Sequence, residues 1–90
     1  MEGLHLTADL YRCACGQELM SDATMLAALC RTRTLNAGLT LVGEKWHSFP
    51  GHEGQPGGVT GMLLLAESHI AVHTWPERGG VTLDVYVCNV

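Results

Sequence analysis

The sequence predicts an α+β fold in which an antiparallel sheet carries a helix packed on one face. Three observations carry this reading. Five segments alternate or concentrate apolar residues as strands do, and one segment repeats them at helical spacing. The connections between the later strands are only a few residues long, which favours antiparallel pairing. The chain has 90 residues, 47% hydrophobic and 16% charged, so it can fill one core and is read as a single domain over 1–90.

The elements follow in order. In residues 4–11, Leu4, Leu6, Ala8 and Leu10 share one parity and His5, Thr7, Asp9 and Tyr11 the other, as in a half-buried strand. Residues 12–20 are irregular. Ser21 can cap a helix with Asp22 in its first turn, and Met25, Leu26, Leu29 and Cys30 then fall at helical spacing. Asn36-Ala37-Gly38 ends the helix, with Gly38 able to turn left-handed. Residues 39–49 read as a second strand in which Gly43 marks a bulge. Residues 50–58 form a loop rich in Gly and Pro. Residues 59–67 form a third strand, apolar on both parities between Met62 and Leu65 and hence central. Residues 69–75 and 81–88 alternate as a fourth and fifth strand around a turn at 76–80. One helix covers only part of one sheet face, so the other face is solvated, covered by a second subunit, or covered by further chain.

Composition narrows the partners. The formal charge is −4, and the five Lys and Arg are scattered, so a nucleic-acid surface is not expected. The longest strongly apolar run, 62–66, is far short of the ~20 residues that span a bilayer. The N-terminus carries no basic region followed by an apolar stretch, so a cytoplasmic protein is expected. Cys13, Cys15, Cys30 and Cys88 then read as free thiols of a reducing compartment. Cys13 and Cys15 are too close in sequence for the usual zinc knuckle.

The chemistry concentrates in residues 67–77. On a strand His69 and His73 share a face but lie ~13 Å apart, too far to share a metal ion. Ile70, Val72, Thr74 and Pro76 argue against the helix that would bring them together, so no metal site is expected. Ser68, His73 and Asp84 are the residue types of a serine hydrolase, but no Gly-x-Ser-x-Gly elbow surrounds Ser68. By residue type alone, His69 and His73 are the polar face of an edge strand, Cys88 a small apolar residue, and Phe49 and Trp75 packing residues.

The literal string says more. Glu67-Ser68-His69, His73-Thr74-Trp75-Pro76-Glu77 and the segment from Leu83 to Cys88 resemble the prokaryotic S-adenosylmethionine decarboxylases, self-processing pyruvoyl enzymes of polyamine and spermidine biosynthesis. His5-Leu6, Asp9-Leu10-Tyr11, Trp46-His47-Ser48-Phe49 and Gly58-Val59-Thr60-Gly61 extend the resemblance over nearly the whole chain. It implies a sandwich fold of that family and a lyase whose carbonyl cofactor takes up the electrons left by decarboxylation. The resemblance implies that Ser68 Oγ attacks the Glu67 carbonyl and that the chain splits there. A β chain of 1–67 and an α chain of 68–90 result, the latter starting with a pyruvoyl group made from Ser68.

The other roles carry over by position. His73 matches a histidine that assists processing, and Cys88 matches the thiol that protonates the α-carbon. Thr60 stands where the family has a processing serine. Phe49, Glu77 and Trp75 match the substrate surroundings, Phe49 for purine stacking and Glu77 for ribose. The family also implies a homodimer of processed protomers with sites at or near its interface.

Three features depart from the family pattern. The 50–58 loop is several residues longer than usual. Arg78-Gly79-Gly80 replaces a segment with two aromatics. The chain also stops short of the helix and strand that family members carry after Cys88, so the C-terminal part of the fold is read as truncated. The first two keep open a smaller substrate, ornithine or arginine, on the same pyruvoyl chemistry. The third keeps open an inactive truncated member acting as a binding subunit.

Overall fold

The computed structural model describes residues 3–11 and 17–88. Its core is one five-stranded antiparallel sheet in the order β1-β5-β4-β3-β2. The strands are β1 (Gly3–Leu10), β2 (Leu41–Ser48), β3 (Val59–Leu65), β4 (Ser68–Trp75) and β5 (Gly80–Cys88). β2 to β5 form a meander, and β1 closes the far edge against β5. The helices α1 (Gln17–Ser21) and α2 (Ala23–Asn36) carry the chain from one edge strand to the other across a single face.

Alternation explains which face they cover. Val59, Gly61, Leu63 and Leu65 of β3 are buried while Met62 and Leu64 between them are exposed. Leu26 of α2 meets Val59 and Val72 at the centre, with Leu19, Ala23, Cys30, Trp46, Val81 and Leu83 packed around them. Burial, and then the Glu44 carboxylate, push the Cys30 thiol above its ordinary value, so it serves as a small packed residue. Trp46 lies across Gly61, its partner in register; a Cβ on Gly61 would come within 2.0 Å of the indole ring. Arg31 of α2 grips both carboxylate oxygens of Glu44 at 2.8 and 2.7 Å, and the Trp46 indole donates to the same carboxylate at 2.9 Å.

Several sequence expectations need correction. Part of the segment expected to be irregular is helical, as α1, and the α2 cap is Asp22 rather than Ser21. The Asp22 carboxylate accepts from the amides of Thr24 and Met25, which the shorter Ser21 side chain, one residue earlier, does not. β1 has no buried face: even Leu4, Leu6 and Leu10 are exposed, because the helices pack over β2, β3 and β4 and leave the β1 edge bare. β3 is an inner strand but is covered on one face only. β4, expected as an edge strand if His69 and His73 were merely polar, is the middle strand. The bulge expected at Gly43 is present as a register shift against β3. Cys13 and Cys15 lie outside the described residues.

Beside α2 an apolar groove of about 680 Å³ runs over β4 and β5 between Leu29 and Val85. No helix among the described residues is long and apolar enough to cross a membrane.

Candidate active site

The chemistry-bearing side chains fall at the two ends of β4. At its first end the chain turns from β3 through Ala66 and Glu67, and Leu65 pairs with Ser68 across the turn. Glu67 holds φ at 59°, a left-handed conformation that costs a non-glycine residue roughly 1–2 kcal/mol. The strained residue and the serine that follows it are the two flanking the expected cleavage point. Across the sheet, the Cys88 amide donates to Ser68 Oγ at 3.2 Å. Tyr86 stands two residues before Cys88 on the same strand, and its phenol lies over Gly3, the partner of Cys88 in register. Interaction with the Cys88 side chain, and then burial, raise the phenol above its ordinary value.

At the other end Thr60 pairs with His73 in register, and the Thr60 hydroxyl is 2.9 Å from His73 Nδ1. The next residue fixes this end in place. Thr74 is buried; its hydroxyl accepts from the Val59 amide at 2.8 Å and donates to the Met20 carbonyl, tying β3, β4 and α1 together. Gly58 has no room for a side chain here, since a Cβ would lie 2.2 Å from the Thr74 carbonyl oxygen. The Phe49 amide bonds the Gly58 carbonyl at 2.9 Å, so the 50–57 loop is pinched at its base.

That loop walls a cavity of about 710 Å³. Phe49, Thr60, His73, Trp75 and Glu77 line it, with His52, Glu53 and Gln55 from the loop. Phe49 and Trp75 are not buried packing residues: 50% and 39% of their surface is exposed, and their rings contact His47 and His73 respectively. Arg78 lies in a separate small pocket beside β1 and does not line this cavity.

The sequence expectations divide accordingly. Thr60, His73, Phe49, Trp75 and Glu77 come together, and so do Glu67, Ser68 and Cys88. The two groups do not meet within the chain: Ser68 and His73 are five residues apart on one strand, ~16 Å. His73 pairs with Thr82, six residues before Cys88, so these two also lie toward opposite ends of the sheet. A Ser68–His73–Asp84 triad is also excluded within one chain, because Asp84 is held by His5 Nε2 and lies 3.8 Å from His69 Nε2. Sequence reasoning missed Tyr86, His52 and Glu53. The registers of β5 with β1 and β4, and the fold of the 50–58 loop, bring them to the site, and no local pattern announces either.

Among the described residues no cluster of three or more His, Cys, Asp or Glu is arranged to hold a metal ion. The model of the S-adenosylmethionine decarboxylase family matches residues 4–90. An S-adenosylmethionine decarboxylase proenzyme of Parasynechococcus marenigrum is 42% identical over 89 residues, covering 99% of this chain and 64% of the relative. One from Archaeoglobus fulgidus is 38% identical over 87 residues, 97% of this chain and 71% of the relative. The crystal structure of the adenosylmethionine decarboxylase from Aquifex aeolicus superposes with a TM-score of 0.84 at 37% identity, over 99% of this chain and 68% of that one. The chain thus spans slightly under two thirds of the length of the first of these relatives. A match over almost every residue, at this identity and on the same fold, makes the chain a member of the S-adenosylmethionine decarboxylase family.

Proposed function

We propose that this chain is a self-cleaving, pyruvoyl-dependent decarboxylase of S-adenosylmethionine that serves polyamine biosynthesis. The observation that carries the proposal is the turn at Glu67, where a strained residue precedes a serine whose hydroxyl is held by the Cys88 amide. Ser68 Oγ attacks the Glu67 carbonyl carbon and converts the amide to an ester. Loss of the Ser68 α-proton then expels the Glu67 carboxylate. The dehydroalanine left behind hydrolyses to a ketoacyl group and ammonia, giving chains of 1–67 and 68–90. Ser68 fits this role, since it lies next to the bond to be cleaved and the Cys88 amide holds its hydroxyl.

When formed, that group supplies an electron sink for decarboxylation. The chain's own residues do the rest. Cys88 returns a proton to the substrate carbon. Thr60 holds His73 through Nδ1, leaving Nε2 to move protons during processing. Phe49 and Trp75 offer aromatic faces to a purine and to a sulfonium cation, and Glu77 offers an acceptor to ribose hydroxyls. The cavity volume, near 710 Å³, suits a nucleoside-sized ligand better than ornithine or arginine. Arg78, the departure that most favoured another substrate, stays out of it.

The ~16 Å between the two ends of β4 favours a second copy that brings them together. A two-fold pair that packs its open sheet faces together runs one β4 against the other. The Thr60–His73 end of one copy then meets the Ser68–Cys88 end of its partner.

Intact-mass measurement of purified protein tests the proposal. Two fragments split between Glu67 and Ser68 are expected, with release of carbon dioxide from S-adenosylmethionine. The Ser68→Ala protein should remain one chain and release none. A wild-type chain that stays whole after long incubation overturns the proposal.

A further inference from the structure

Tyr86 stands two residues before Cys88 on β5, so both side chains share the open face. Its ring is fixed on three sides. His5 is its partner in register on β1 and meets it edge-on, with centroids 6.2 Å apart at 74°. His69 is its partner on β4 and stacks on it at 6.0 Å and 27°. Asp84 binds His5 Nε2 and lies 3.8 Å from His69 Nε2, so one carboxylate steadies both flanking rings. The third side is Gly3, which pairs with Cys88. A Cβ on Gly3 would lie 2.5 Å from the Tyr86 hydroxyl oxygen, so the phenol extends over the one residue that leaves it room, directly beside Cys88.

We propose that Tyr86 is a positioning residue for Cys88, aiming its phenol O–H at the sulfur that returns the proton to substrate. The proposal rests on the reading of Cys88 as that donor and goes beyond it. As Cys88 gives up its proton, negative charge develops on sulfur. A donor already in place stabilises that charge without reorganising at the moment of transfer. The phenol keeps its own proton throughout the transfer, in keeping with its raised pKa. No proton needs to leave Tyr86, so the step balances between Cys88 and substrate alone.

The test uses the Ser68→Ala protein, which carries no ketoacyl group, and follows iodoacetamide alkylation of Cys88 by the mass of its peptide. Adding Tyr86→Phe, which keeps the ring and removes the hydroxyl, should slow alkylation about 3- to 10-fold, the size of one hydrogen bond to sulfur. Gly3→Ala should slow it in the same direction, because it displaces the phenol without altering either partner. In protein with Ser68 intact, Tyr86→Phe should lower kcat by a similar factor and leave KM unchanged. Alkylation rates equal to those of the parent in both variants overturn the proposal, and so does a change confined to KM. A wild-type chain that never cleaves would sink the decarboxylase reading while leaving the alkylation result to decide the Tyr86–Cys88 contact.

Discussion

The two faces of the sheet are built from alternate residues of the same strands, yet they have opposite characters. On the helix face Leu63 and Leu65 are buried and each polar group is answered: Thr74 by two backbone partners, Glu44 by Arg31 and Trp46. On the open face Met62 and Leu64 stand exposed among Thr60, His69, His73, Asp84, Tyr86 and Cys88. The helix face is packed over β2, β3 and β4, and an apolar groove stays open beside α2. The other gathers most of the chemistry and waits for a cover. A one-residue step along β3 therefore moves from stability to function.

The largest expected effect tests whether the open face is completed by a second copy. Ser68→Ala and His73→Ala proteins should each be inactive alone. Mixed through an unfolding and refolding step, they should recover about a quarter of wild-type decarboxylation, since half the dimers are mixed and each holds one intact site. No recovery would mean that both ends of β4 serve the same chain.

A smaller effect compares neighbours on β3. Leu63→Ala should cost about 2–5 kcal/mol in denaturant unfolding, because it leaves a cavity in a fully buried position. Leu64→Ala, at a position 49% exposed, should cost less than about 1 kcal/mol in dilute protein. Its main effect should be on the concentration at which copies pair, read by analytical ultracentrifugation. Equal costs for the two would remove the distinction between the faces.

The smallest effect concerns the polar clasp on the helix face. Hydrogen bonds from Arg31 and then Trp46 hold the Glu44 carboxyl below the usual carboxylate range. A depressed value contributes stability above the unfolded pKa of ~4.3, and the contribution is lost as pH falls through the folded value. Glu44→Gln should therefore lower the melting temperature at pH 7, and its gap from wild type should close as the pH drops below about 4. A gap that is independent of pH would assign the effect to packing alone.

Much of this was legible in the residues. The alternation of 81–88 marked a strand, Gly38 marked the end of α2 at φ 82°, and Gly43 marked a bulge. The string around Ser68 pointed to the family before any coordinates. What could not be read was contact between strands distant in sequence. Asp84 looked like a partner for His73 and instead joins His5 across 79 residues. By residue type alone Trp75 and Phe49 read as packing; they line a cavity with residues of the 50–58 loop, as the family resemblance implies.

The sequence by itself determined the strands, the longer helix and the reactive residue types, because period and turn chemistry are local properties of the chain. Only the tertiary structure decided that Thr60 meets His73, that the Cys88 amide reaches Ser68 and that Tyr86 sits between His5 and His69. Register between strands is chosen by the packing of the whole sheet, and a slip of one residue would turn every one of these side chains to the opposite face.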